Sequence, residues 1–254
     1  PKYSLRPAIA YRFAERINST PLKTVTQHFM RDWNPDGPVN PPLTRKVCGG
    51  DLLYMLRELF WMPGEEEVGA LTKPMTVWYP HTQILIARES SLADQGFVLA
   101  AKGGHNGENH NHNDVGHFVL YRNGQPFIVD MGVGSYTAKT FGEHRYEILT
   151  MRSTSHNVPV IDGVEQAVGP EFGARDVVFE DREAERSLSM DLSHAYPHEI
   201  NVSELRRTLT HRGNQVAVED RYSISSSREI VLNLYTPADV EPCETGAILR
   251  MEGS

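Results

Sequence analysis

Cysteine is almost absent from this 254-residue chain, with Cys48 and Cys243 far apart and each alone. Neither sits in a CxxC pair, which excludes a cysteine-built zinc or redox motif and a disulfide framework. Both thiols are expected to act as small apolar residues, with a single bridge between them as the covalent alternative. No stretch approaches 18 consecutive apolar residues, so no membrane-spanning helix is expected. Runs of Lys or Arg are also missing, and 25 basic against 33 acidic side chains leave a net charge of −8. That balance argues against nucleic acid as the main partner. Pro1-Lys2-Tyr3-Ser4 leads into amphipathic sequence rather than an apolar h-region, so no signal peptide is read there. No repeat of fixed period and no low-complexity tract is present.

The apolar residues that are present change period along the chain. Residues 1–67 read helical. Ala8 to Ile17 carries apolar side chains at 9, 10, 13, 14 and 17. Thr20-Pro21 reads as an N-cap and first helical position, and Asp51 as the cap of an almost wholly apolar segment ending at Trp61. Helices this apolar need several neighbours, so this part is expected to be the end of a larger helical domain. From 68 onward the period is two. Strands are expected at 77–79, 83–88, 97–101, 118–122, 126–130, 157–161, 164–166, 205–211, 216–222 and 228–235, with hairpins at Asn123-Gly124, Asp162-Gly163 and Arg212-Gly213-Asn214. Many short strands without intervening helices predict an antiparallel β-sandwich over 68–254, continuing beyond the last residue.

The chemistry concentrates in Gly104–His117, where four imidazoles, two carboxylates and four carboxamides lie between two apolar strands. Polar groups at that density are costly to bury unpartnered. Six of the eleven histidines, His105, His110, His112, His117, His144 and His156, fall between 105 and 156, where an even spread would put about two. Imidazole with carboxylate suggests a divalent metal, zinc first. The hairpin at Asn123-Gly124 can return Asp130 beside His112, and His156 precedes another strand. Two His and one Asp with a water would make a tetrahedral set. His28, His81, His194, His198 and His211 are expected to be surface or satisfied core residues, and Asp114 and Asp162 turn residues.

Three linked segments, Asn109–Tyr121, Asn123–Tyr136 and Ser155–Gly163, resemble the C-terminal domain of the heparinase II/III family of polysaccharide lyases. The likeness is specific over about 105–166. It implies an α/α toroid joined to an antiparallel β-sandwich, which would account for the helices at the start. It also implies that His110 faces the sugar, that His112, Asp130 and His156 hold a structural zinc, and that Tyr136, Arg145 and Tyr146 lie near the substrate. The family's principal catalytic Tyr and its partner come from the helical domain and match no position in 1–65. The implied reaction is β-elimination in an acidic, uronic-acid polysaccharide, whether glycosaminoglycan, alginate or another uronide. Such a substrate favours a periplasmic or secreted protein, and a homodimer is compatible with it. Lys102, Arg122, Arg145 and Arg152 are expected to supply a local positive groove. The competing readings are a carbohydrate-binding sandwich braced by zinc, and a zinc hydrolase with Glu108 as base.

Overall fold

The computed structural model describes residues 7–33, 60–61, 70–92, 95–224, 226 and 228–251. The chain divides into two units, Pro1–Lys73 and Pro74–Ser254.

In the first unit, α1 spans Pro7–Arg16 and α2 spans Thr20–Trp33. The buried stripe of α1 is Ala8, Tyr11 and Ala14, whereas Phe13 and Ile17 are exposed, so the expected stripe is rotated by about one residue. The α2 cap is Ser19 rather than Thr20, because the Ser19 hydroxyl accepts from the Leu22 amide at 3.4 Å. The helix expected after Asp51 lies outside the described residues apart from Phe60 and Trp61, which are helical.

The second unit opens with β1 (Thr76–Tyr79), β2 (Ile84–Arg88), β3 (Phe97–Lys102) and the short β4 (His105–Asn106), followed by β5 (Phe118–Arg122) and β6 (Gln125–Ile128). Five of these form an antiparallel sheet in the order β1-β2-β3-β5-β6. Asn123 and Gly124 have φ of 50° and 76°, the left-handed pair a two-residue hairpin needs. The chain continues through β7 (Pro159–Ile161), β8 (Gly169–Gly173), β9 (Arg175–Arg182), β10 (Glu185–Asp191), β11 (Val202–Arg212) and β12 (Gln215–Ile224). The last four make a second antiparallel sheet, ordered β12-β11-β10-β9. Finally β13 (Ile230–Leu232) pairs with β7, and β14 (Asp239–Cys243) with β15 (Gly246–Arg250).

Alternation decides which face is buried. Leu85, Ala87, Leu99, Ala101 and Phe118 of the first sheet share one core with Leu188, Met190, Leu205 and Leu209 of the second. Trp78 stacks on Phe179 at 5.2 Å. Each large aliphatic side chain buried this way contributes about 1.5–3 kcal/mol. The unit is therefore a β-sandwich, as the strand periodicity predicts.

Two expectations are corrected. Asp162-Gly163 does turn the chain, but it joins no hairpin of length: only Ile161 and Val164 bridge, and β7 takes its partner from β13. The turn is instead tied to the remote segment, since the Asp162 carboxylate accepts from Arg228 Nη1 at 2.7 Å and the Glu229 amide at 2.8 Å. Cys243 is a free, exposed thiol rather than a packed apolar residue, and Cys48 lies outside the described residues.

Candidate metal centre and active site

The loop between β3 and β5 stays ordered because its carboxamides replace a sheet ladder. Asn106, Asn111, Asn113 and His117 are all buried. Asn111 Nδ2 donates back to the Asn106 carbonyl at 3.0 Å. Gln166, itself buried, receives the loop: its Oε1 accepts from the Val115 amide at 2.9 Å, its Nε2 donates to the Val115 carbonyl at 2.8 Å, and its own carbonyl accepts from Asn113 Nδ2 at 3.1 Å. Ser153 Oγ donates to the Asn113 carbonyl at 2.7 Å. Gly116 then turns the chain at φ +86°, with Leu192 packed where a Cβ would stand. The loop is a built platform, which answers the cost of burying so polar a segment.

This platform brings three histidines together with Asp130. The His156 ring centre lies 5.1 Å from that of His112 and 5.4 Å from that of His117. Asp130 Oδ2 is 2.7 Å from His156 Nδ1 and 3.2 Å from His117 Nε2. His117, Asp130 and His156 each offer a ligand atom within 4.8 Å of the others. His156 Nε2 is buried without a hydrogen-bond partner, which is the condition a bound cation would relieve.

Tautomer chemistry separates the two imidazoles. His117 Nδ1 accepts the Asn157 amide at 3.0 Å, so the neutral ring must carry its proton on Nε2 and present an N–H to Asp130. A metal on that nitrogen would force a proton onto Nδ1, against the Asn157 N–H. His156 is the reverse case. With Nδ1 donating to Asp130, its Nε2 lone pair is free, the carboxylate–histidine pattern that orients metal ligands. Burial pushes the His117 imidazole down to about 4. It lowers His112 as well, assisted by the neighbouring His156. For Asp130, burial alone acts upward, but the His156 hydrogen bond and the nearby imidazoles carry the carboxyl down to about 2. For His112 and His117 this favours the neutral ring, and for Asp130 the ionised carboxylate, the protonation states that metal ligation requires.

Of the residues singled out from sequence, Asp130 and His156 meet at this centre, while His112 brings its ring to 5.1 Å from that of His156 and lies outside the group of ligand atoms within 4.8 Å of one another. His110 is not part of the centre. It is exposed, holds φ +59°, and its ring meets Phe141 edge-on at 5.2 Å. Tyr136 is exposed and lies 5.5 Å from Phe141. Arg145 is half-buried and spends Nη1 on the Thr140 carbonyl (3.2 Å) and Nη2 on the Asn111 carbonyl, and its guanidinium lies 5.8 Å from the Tyr146 ring centre. Lys102 is paired with Asp114 at 2.8 Å and Arg152 with Glu165, while Arg122 lies over Phe97. Of the four cations expected to form a positive groove, Lys102, Arg145 and Arg152 are thus committed to partners within the unit. His211 departs from expectation as well. It is buried with neither ring nitrogen hydrogen-bonded. His117, Asn157, Gln166 and Phe141 were not assigned roles from sequence. Only His117 carried a signal, as a further imidazole in the same loop.

Residues 73–248 match the family described as heparinase II/III-like, C-terminal. No curated protein matches the chain. Among solved structures, heparan sulfate lyase HepC from Pedobacter heparinus is similar with a TM-score of 0.61 and 15% identity, over 95% of this chain and 32% of that one. A heparinase III gene product is similar with a TM-score of 0.57 and 20% identity, over 70% of this chain and 27% of its own. Another heparinase III has a TM-score of 0.51 and 16% identity, over 90% and 32%. The chain therefore spans about a third of the length of these structures. Because the match at 73–248 takes in both large sheets, the His-Asn loop and the Asp130 centre, the chain belongs to the heparinase II/III-like C-terminal family.

Proposed function

We propose that this chain is the sugar-facing sandwich of a polysaccharide lyase that cleaves a uronic-acid polymer by β-elimination, and that His112, Asp130 and His156 hold a structural zinc. The observation that carries the reading is the division of labour inside one tripeptide. His110 is exposed and makes no hydrogen bond or ion pair to the described residues, whereas His112 two residues on is half-buried against His156. A loop needing imidazole only as a brace has no use for the first. Zinc bound there would fix the loop to the strand end at Asp130 and supply no chemistry to the sugar.

In the reaction, the C5–H and C4–O bonds of the uronide break and a C4=C5 double bond forms. The C5 proton passes to a base and the departing O4 takes a proton from an acid. His110 is the exposed imidazole of the loop, available for proton handling or for charge neutralisation at the C6 carboxylate. Its left-handed backbone, uncommon for a non-glycine residue, is a cost that function would justify. The commitment of Lys102, Arg145 and Arg152 to internal partners implies that much of the carboxylate's neutralisation comes from another domain, as does the principal catalytic tyrosine. That same observation favours one alternative, a sandwich that binds sugar without catalysis.

The test is the appearance of unsaturated uronide products from acidic polysaccharides, using a polypeptide that also carries a complete toroid. His110→Ala is expected to cut turnover by about 10²–10⁴-fold while retaining zinc. Turnover equal to wild type would refute the role of His110. Binding without unsaturated product from any uronide would favour the alternative.

A further inference from the structure

The second sheet carries one fully buried cation. On β11 the inward positions are Leu205, Arg207, Leu209 and His211, so Arg207 occupies a place where an aliphatic residue would be the default. Desolvating an ion there is seldom repaid by pairing alone. Asp220, opposite it on β12, takes two nitrogens of the fork, Nε to Oδ1 at 2.7 Å and Nη2 to Oδ2 at 2.6 Å. That pair neutralises the charge but leaves Nη1 unexplained.

Nη1 donates to two backbone carbonyls, Gly116 at 2.9 Å and Asn157 at 2.7 Å. Gly116 immediately precedes His117, and Asn157 immediately follows His156. The guanidinium also lies 5.8 Å from the ring centre of Phe118, the next residue after His117. Asn157 in turn fixes its surroundings. Its amide donates to His117 Nδ1, and its side chain donates to the carbonyls of Phe118 at 2.8 Å and Val129 at 3.0 Å, the latter adjoining Asp130. One nitrogen of the second sheet thus holds both chain segments that deliver imidazoles to Asp130.

We propose that Arg207 is a positioning residue for the histidine–aspartate centre, setting the spacing of the His117 and His156 segments and the tautomer of His117. A planar fork is required. Lysine would present one point charge and could not serve Asp220 and two carbonyls in fixed directions. An apolar residue would complete the core and leave both carbonyls unpartnered. The inference rests on the metal reading only for its second readout, since the tautomer exists without metal.

The test compares wild type with Arg207→Lys and with the double variant Arg207→Met/Asp220→Met. The double variant leaves no unpaired ion, and exchanges of that kind often preserve stability. Leu188→Val, whose register partners are Leu209 and Phe179, serves as a control for general loosening of the sheet. In the metal-free chain, imidazole ¹⁵N spectra are expected to show His117 as a single Nε2–H tautomer in wild type and in Leu188→Val. The folded Arg207 variants are expected to show a mixture. Zinc affinity by chelator competition is expected to fall 10–100-fold in those variants, the range for lost outer-shell partners. A folded double variant with the wild-type tautomer would overturn the proposal, whatever its zinc affinity. If wild type binds no zinc, the metal reading fails alone and the tautomer still decides the role of Arg207.

Discussion

Replacing Gln166 with methionine keeps the size of the side chain and deletes its hydrogen-bonding. The side chain accepts from the Val115 amide and from Asn106 Nδ2 (3.2 Å) and donates to the Val115 carbonyl. Asn106 Nδ2 retains the Ala167 carbonyl at 2.9 Å, so its loss is partial. Val115 is fully buried, and neither of its backbone groups has water to turn to. Two orphaned buried backbone groups at about 1–3 kcal/mol each put the cost at about 2–6 kcal/mol. For a unit of this size that is a fall in melting temperature on the order of 10 °C. Urea unfolding of the 74–254 unit should show a lower midpoint with an unchanged slope, since the surface exposed on unfolding is the same. A loss under about 1 kcal/mol would refute the reasoning, because it would mean that the loop does not depend on Gln166 for its backbone bonds.

Gly116→Ala should cost about 2–4 kcal/mol, combining left-handed strain with a Cβ placed 2.6 Å from Leu192 Cδ1. Adding Leu192→Ala should relieve the clash and not the strain, so a full rescue in thermal melts would contradict this account. The pH dependence follows from His117, which protonates near 6.5 when unfolded and near 4 when folded. Below 6.5 the unfolded chain binds the extra proton, so the metal-free unit should lose about 3 kcal/mol between pH 6.5 and 4. His117→Gln should flatten that slope in denaturant titrations. The lowered Asp130 carboxyl adds a further loss below about 4, and a stability that rises on acidification through this range would reverse the sign argued here.

The parts of this molecule legible from sequence are those written locally. Asn123-Gly124 declares its hairpin because both residues accept positive φ, and β11 and β12 declare theirs through the alternation of residues 205–211 and 216–222. The His-Asn loop is legible as a site because such polarity has no packing purpose. What stayed hidden depends on remote partners. Asp162-Gly163 has the local chemistry of a hairpin, yet Arg228 and Glu229 claim Asp162, and no local pattern reports that. β9 was missed because Arg175–Arg182 exposes charges on most of its length, leaving only Val177 and Phe179 as an apolar signal. Gln166 and Arg207 read as solvent-facing by type, and only remote partners make them interior, Asn106 and Val115 for the first and Asp220, Gly116 and Asn157 for the second. His117 sat in view, but the Asn157 amide that dictates its protonated nitrogen is brought there by chain folding.

The central claim is that one loop divides its imidazoles between a sugar and a metal. Elemental analysis of purified wild type, His110→Ala and His112→Ala tests it most directly. The account predicts one zinc per chain in wild type and in His110→Ala, and none in His112→Ala. Absence of metal from wild type, or its retention in His112→Ala, would contradict it.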